Sequence, residues 1–552
     1  MPPVFPVQQE TATLRLPDGV ELVSDLYRPE SAGDVPVLLM RQPYGRAIAS
    51  TVVYAHPRWY AAHGYLVVIQ DVRGRGDSGG EFRLFEHEVE DGVATVNWAA
   101  QLPGSDGQVG MYGFSYQGMT QLYAASGQPA ALRVLCPGML AVDLYDDWAY
   151  ENGAFCLQAS LGWAVQLAAE TARLQGDRLA YHTLYAASRD LPIREPSLYF
   201  RECLRKYTPS NFYEGWCNHP EPGEYWQQFV PDLTAVDLPM LHIGGWFDPY
   251  LRGTLRLYQD MAARARSPQH LLIGPWAHLP WSRRVGDADF GPEAASPVDT
   301  LQLRWFDQFL KGQERGIRSQ MPVKLFELGP NRWREFDTWP PAAERFHYHL
   351  HTTGLASMRE DAGTLHTQPP EQAGEDVLVH DPWRPVPARG GHAASPAGAF
   401  ERSALDTRSD VLTYTTAPLA EALSWAGVAI ANIHVQTEAN SFDLCAILSD
   451  VHPDGRVFNL CQGYTCVRVV RDAPIRLPLQ ACCARIAVGH CLRLSLSAAC
   501  FPAYPVNPGT GKPTSQADLM LAQVVTLRVQ CGGDRASQLQ LPVVAAGQEC
   551  DR

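Results

Sequence analysis

No apolar run in this 552-residue chain reaches the roughly 18 residues that a membrane-crossing helix needs. The N-terminus, "MPPVFPVQQETATLRLPDG", lacks the basic stretch and apolar core of a secretory signal. The expected compartment is therefore the cytoplasm. Basic residues are outnumbered, 45 Lys and Arg against 59 Asp and Glu, and they form no cluster. The net charge of −14 argues against nucleic-acid or anionic-membrane partners. Thirteen cysteines include no C-x-x-C pair, only the adjacent Cys482 and Cys483. This odd, scattered set reads as reduced thiols filling apolar space, not as a disulfide framework or a metal site. Internal repeats are absent, and the acidic surface suits a monomer or a homodimer equally.

What is present is an interrupted alternation. The runs "VPVLLM" (35–40), "YLVVIQ" (65–70), "VGMYGF" (109–114) and "LRVLCP" (132–137) read as strands covered on both faces. "EVEDGVATVNWAAQL", between the second and third, has helical spacing. Such alternation predicts an α/β fold with a mostly parallel sheet. Residues 141–237 break the rhythm with aromatic-rich helical patterns, "LQASLGWAVQLAAETARLQ" among them. It resumes with "LPMLHIGG" (238–245), a helix over 251–265 and "HLLIGPW" (270–276). The expected organisation is an α/β domain over 1–140 and 238–344, a helical cap inserted at 141–237, and a β-sandwich from 345 to 552. The Pro/Gly/Ala-rich stretch 366–399 reads as loop.

"MYGFSYQGM" (111–119) sets Ser115 between a strand and a small-residue helix, the setting of a nucleophile elbow. The usual pattern is G-x-S-x-G, but here the second glycine, Gly118, comes one place late. Considered alone, the stretch reads equally well as a plain strand–helix turn. A nucleophilic serine needs a base, and the base needs an orienting carboxylate, in the chain order Ser, Asp, His for this fold. Asp248 closes "HIGGWFD" and His278 closes "IGPWAH", each just past a predicted strand, where open α/β sheets assemble their sites. Separately, Asp248 reads as a helix N-cap and His278 as an ordinary core or surface histidine. Together with Ser115 they make a candidate triad. The backbone N–H of Tyr116 is one candidate oxyanion donor. The loop "RQPYGR" offers no H-G-G run, which leaves the Tyr44 hydroxyl as the second.

"DVRGRGDSGG" (71–80) contains G-x-G-x-x-G after a strand. No helix follows to cap a pyrophosphate, so it reads as a loop beside the active face.

Taken together, "PYGR" (43–46), "DVRGRGDSGGEF" (71–82), "GQVGMYGFSYQGM" (107–119), "GGWFDPY" (244–250), "GPWAH" (274–278), "LSDVHPDGRVFNL" (448–460) and "NPGTGKP" (507–513) resemble the family of cocaine-esterase-like and X-Pro dipeptidyl-peptidase-like serine hydrolases. That family's elbow is G-x-S-Y-x-G. The resemblance implies an α/β-hydrolase domain with an inserted helical cap and a C-terminal jelly-roll β-sandwich. It implies Ser115, Asp248 and His278 as the triad and Tyr44 with Tyr116 as the oxyanion hole, with no metal or organic cofactor.

The substrate it implies is a small ester, amide or short peptide-like molecule. Trp148, Tyr150, Phe155, Trp163 and Phe247 are candidates for an apolar acyl pocket, and equally for cap core. Relatives that bind a substrate ammonium carry acids soon after the triad aspartate, where this chain has Pro249-Tyr250-Leu251. Asp146 and Asp147 resemble only the cap's share of such a cluster. The expected activity is therefore hydrolysis of an ester or amide with an apolar or aromatic acyl group, through an acyl-enzyme. The alternatives are an X-Pro or aminoacyl peptidase, an α-amino-acid ester hydrolase and an acyltransferase.

Overall fold

The computed structural model describes residues 5–30, 33–49, 51–193, 201–208, 211–468, 473–514 and 519–545. An antiparallel hairpin, Val7–Arg15 (β1) and Glu21–Pro29 (β2), leads into Val35–Gln42 (β3), Leu66–Asp71 (β4), Ser105–Phe114 (β5) and Leu132–Gly138 (β6). The same sheet continues with Met240–Phe247 (β7), Gln269–Ala277 (β8), Val323–Glu327 (β9) and Arg332–Phe336 (β10). The strand order is β1-β2-β4-β3-β5-β6-β7-β8-β9-β10, and every pairing from β4 across to β9 is parallel.

Both faces are covered, which is why these strands are apolar throughout. The helices Glu88–Ala100 (α1) and Tyr116–Ser126 (α2) lie on one face and Val298–Phe309 on the other. Along β3, Val37 and Leu39 enter the cluster under α1 and α2, while Leu38 and Met40 enter the opposite cluster, which includes Val298 and Phe306. That is the two-residue alternation of a strand read on both of its faces.

β6 and β7 are parallel neighbours, with Gly138 opposite Ile243, although the whole helical insertion lies between them in the chain. The insertion contributes Leu157–Leu174 (α3), Arg178–Arg189 and Phe212–Asn218. Its aromatic interior (Trp148, Tyr150, Phe155, Tyr213, Trp216) is continuous with the core on α2. No boundary of apolar contact separates it from the sheet domain.

Beyond residue 344 the described chain is β-rich, forming an eleven-stranded and a three-stranded sheet. Phe442–Val451 (β11) pairs antiparallel with Val457–Val467 (β12) on one side and Cys491–Ser497 (β13) on the other. One expectation is corrected here. The segment read as loop over 366–399 contains the strand Gly374–His380, in unbroken antiparallel register with Val525–Cys531. Its Asp376, Leu378 and His380 alternate inward, a period-two signal masked by the Pro, Gly and Ala around it. Trp246 and Phe247 at the end of β7 share a core with Trp425 and Leu541 of the β-rich part. Cys136, Cys156, Cys445, Cys461, Cys482, Cys483, Cys500 and Cys531 are buried free thiols, and no described helix is long and apolar enough to cross a membrane.

Candidate active site

Ser115 occupies the single residue between β5 and α2, with φ 60° and ψ −128°. Holding a non-glycine residue there costs about 1–3 kcal/mol. The surroundings enforce it, since the Ser115 N–H donates to the carbonyls of Gly138 (2.9 Å) and Met139 (3.1 Å). Gly113, at φ 140°, leaves room that a Cβ would close to 2.4 Å from Gln117 Cβ. The late glycine has its own cause. A Cβ on Gly118 would stand 2.9 Å from both the Gly138 carbonyl oxygen and Leu140 Cδ2, so this is where α2 crosses the end of β6. Gln117 folds back instead, and its Oε1 accepts from the Phe114 N–H at 3.4 Å.

Asp248 follows β7 and His278 follows β8. The His278 Nδ1 is 2.8 Å from Asp248 Oδ1, and that carboxylate is fully buried. Phe114, the neighbour of Ser115, lies 5.2 Å from the imidazole, and Tyr250 meets it edge-on at 4.9 Å. The ring is thus held beside the elbow. About a quarter of the His278 side chain remains exposed, which leaves it a route to solvent. Gln480 of the β-rich part donates through Nε2 to the carbonyls of Trp246 (3.0 Å) and Asp248 (2.9 Å). No sequence pattern signals this residue.

Tyr44 lies just past β3. Its N–H donates to Gln42 Oε1 (2.7 Å), and the same side chain donates to Asp71 Oδ1 (3.0 Å). Arg46 closes the clamp, with its Nη1 2.6 Å from Asp71 Oδ2 and its Nε 2.9 Å from Asp25 Oδ1. A Cβ on Gly76 would lie 2.0 Å from Asp71 Oδ2, so the glycine-rich loop is shaped to wrap this carboxylate. The Tyr44 hydroxyl accepts from Trp163 Nε1 at 3.0 Å. Burial pushes its pKa up to about 12, against the opposing pull of Trp163, Ser115 and Arg75. It therefore stays protonated, as a donor must. Arg75 is itself buried. It donates to the Leu167 carbonyl (3.1 Å) on α3, the helix that carries Trp163, and lies 3.7 Å over the Phe82 ring. The Tyr116 side chain is anchored by its hydroxyl on Glu88 Oε1 (2.7 Å) and by stacking on Phe85, which fixes the first residue of α2.

Of the expected pocket residues, the structure brings some together and places others elsewhere. Trp148 packs on Trp163 (4.9 Å) and on Tyr250 (4.1 Å), so an aromatic line runs from Tyr44 to His278. Tyr250 is an addition, noted in the sequence only for not being an acid. Tyr150 and Phe155 pack on each other, and Tyr150 donates to the Trp216 carbonyl. Phe155 faces Tyr213, so both belong to the cap interior. Phe247 stacks on Phe290, in the core shared with the β-rich part. Asp147 is buried. Its Oδ2 accepts from the N–H groups of Val142 and Asp143, and its Oδ1 is 3.0 Å from Arg256. That carboxylate is committed within the fold.

Comparisons with known proteins agree with this architecture. Residues 18–280 match the X-Pro dipeptidyl-peptidase (S15 family), and residues 315–540 match the X-Pro dipeptidyl-peptidase C-terminal non-catalytic domain. Cocaine esterase from Rhodococcus sp. (strain MB1 Bresler) is 30% identical over 96% of this chain and 97% of its own. Among solved structures, an aminopeptidase from a marine sediment Thaumarchaeota archaeon superposes with a TM-score of 0.82 at 24% identity, covering 98% of this chain and 97% of the other. An α-amino acid ester hydrolase gives 0.79 at 22% identity, with the same coverage. Both likenesses are of fold. The end-to-end match to cocaine esterase, over a sheet, insertion and β-rich domain in the order described, shows that the chain belongs to the S15 and cocaine-esterase family of serine hydrolases, which act on ester or amide bonds.

Proposed function

We propose that Ser115 is the nucleophile, His278 its base and Asp248 the carboxylate that holds the imidazole tautomer. The substrate is an ester or amide with an apolar, preferably aromatic, acyl group. The Ser115 oxygen attacks the carbonyl as His278 takes its proton. The Tyr44 hydroxyl and the Tyr116 N–H receive the developing negative charge. Protonated His278 then returns the proton to the leaving alcohol or amine, and water activated by the same ring hydrolyses the acyl-enzyme.

The observation that carries this reading is the unbroken aromatic line Tyr44–Trp163–Trp148–Tyr250–His278. It supports an apolar acyl pocket between the oxyanion donors and the base. Asp147, the acid that would favour a substrate ammonium, is engaged by Arg256, which disfavours an aminopeptidase or α-amino-acid ester hydrolase. The buried free thiols Cys136, Cys156, Cys445, Cys461, Cys482, Cys483, Cys500 and Cys531 favour a reducing, cytoplasmic setting.

Intact-mass analysis after exposure to a fluorophosphonate tests the nucleophile. One adduct on the wild type and none on Ser115→Ala is expected, and an adduct on both would assign a different serine. Kinetics with a benzoate ester and a matched α-amino-acid ester test the pocket. Higher kcat/KM for the benzoate is expected, and a strict need for the free amine would overturn the acyl assignment.

A further inference from the structure

Away from the hydrolytic site, antiparallel pairing brings together two segments of the β-rich part. Val451 at the end of β11 pairs with Cys491 at the start of β13. That register sets Asp450 and His452, on either side of Val451, against His490, the residue before β13. Asp450 Oδ1 lies 2.8 Å from His490 Nδ1, and Oδ2 lies 3.5 Å from His452 Nε2. The two imidazole centroids are 4.6 Å apart, and one ligand atom from each of the three residues falls within 4.8 Å of the others.

We propose that Asp450, His452 and His490 form a binding site for a divalent transition ion of the zinc class. A hydrogen bond between Asp450 and His490 would explain one imidazole but not the second, turned to the other oxygen of the same carboxylate. Donors around a zinc ion held by bonds of about 2.0–2.2 Å stand about 3–3.5 Å apart, and a small rotation of the partly exposed imidazoles would bring donors that already lie within 4.8 Å to that spacing. Two imidazoles with one carboxylate suit zinc, nickel or copper, whereas calcium and magnesium call for an oxygen cage. The carboxylate is nearly buried, while the His490 and His452 side chains are 21% and 28% exposed. An ion would therefore have an entry path and an open side for water. The nearby cation does not compete, because Arg456 Nε is 2.8 Å from Asp454 Oδ2. The ion would join the end of β11 to the start of β13, as a staple within the sheet. None of the three residues belongs to the proposed hydrolytic machinery.

The test is isothermal titration calorimetry of the whole, chelator-stripped protein with zinc chloride, alongside the double variant His452→Ala/His490→Ala. One zinc per chain is expected for the wild type, with affinity at least about tenfold weaker in the double variant. Both substitutions are at partly exposed sites outside strands, so ester hydrolysis should be unchanged and reports the fold. Should the double variant fail to fold, His452→Ala alone makes the same comparison. No zinc uptake by the wild type, or wild-type affinity in the folded variant, overturns the site. Cobalt(II) adds a spectroscopic check. Ligand-field bands lost in the variant support the site, and a thiolate charge-transfer band would place the metal on cysteine and overturn it.

Discussion

The indole N–H of Trp163 donates to the hydroxyl oxygen of Tyr44 across 3.0 Å. One lone pair of that oxygen is thereby occupied, and the phenolic proton is left free for the oxyanion proposed to form at Ser115. Trp163 would then be a positioning residue as well as pocket wall. Trp163→Phe keeps the ring and removes the N–H. Loss of one such bond, about 1 kcal/mol, should lower kcat about fivefold with KM little changed. Tyr44→Phe should lower kcat by about 10²–10³. A raised KM with unchanged kcat for Trp163→Phe would reduce the indole to packing.

Asp248→Asn retains the shape of the carboxylate and loses its preference for the Nδ1–H tautomer. In a triad that substitution lowers kcat by about 10⁴ with geometry intact. Steady-state kinetics with one ester and a thermal melt separate that outcome from misfolding. A loss below tenfold would show that Asp248 does not orient the base.

The elbow makes opposite demands at adjacent positions. Gly118→Ala places a Cβ 2.9 Å from a carbonyl oxygen of β6 and should destabilise the chain by about 1–3 kcal/mol, with activity falling in parallel. Gln117→Ala introduces no such clash and should be the milder change. Denaturant midpoints of the two variants, measured side by side, test that order.

Gln480→Ala removes an amide that bridges the carbonyls on either side of Phe247. A lower kcat is expected, by about tenfold, from loosening of the Asp248 loop, with a melting curve still close to the wild type. Gln480→Glu should be worse than Ala, because a carboxylate would face two carbonyl oxygens. Equal activity of all three proteins would show that the β-rich part has no hold on the triad.

Acid should open the junction of the cap with its neighbours. Glu151 is fully enclosed, and burial alone would raise its pKa. The His392 imidazole (2.8 Å), Arg252 (2.9 Å) and the Tyr504 hydroxyl (2.6 Å) outweigh that and bring it down to about 2. Since the folded value lies below the unfolded one of 4.5, the stabilisation is complete above pH 4.5 and is lost as pH falls towards 2. It amounts to on the order of 3 kcal/mol. Glu151→Gln should flatten the stability curve across that window, as read from urea melts at pH 5 and pH 3. A wild-type slope in the variant would place the acid sensitivity elsewhere.

The sheet was legible because its strands are apolar on both faces, a pattern that surface segments rarely mimic. The pairing of Asp248 with His278 was legible for a related reason, since each residue closes such a strand and parallel neighbours end side by side. Ring direction was not legible. Tyr150, Phe155, Trp148 and Trp163 share one composition, and only packing decides that the last two stack towards Tyr250 and Tyr44 while the first two fill the cap. Phe247 ends the same strand that leads to Asp248, yet its ring turns to Phe290. Gln480 was invisible, because an amide that bonds two backbone carbonyls needs no partner side chain and leaves no pattern. The strand Gly374–His380 was hidden by the turn-forming residues around it.

The amide of Gln480 also limits how this chain can be taken apart. The aspartate loop is stitched to a residue more than two hundred positions downstream, so a hydrolase core excised before residue 345 would keep its nucleophile and lose a clasp on its acid. Chimeras between relatives face the same restriction. Residues 246–248 and 480 form one heritable unit, and a crossover between them should yield proteins that fold but turn over poorly until both halves come from one parent.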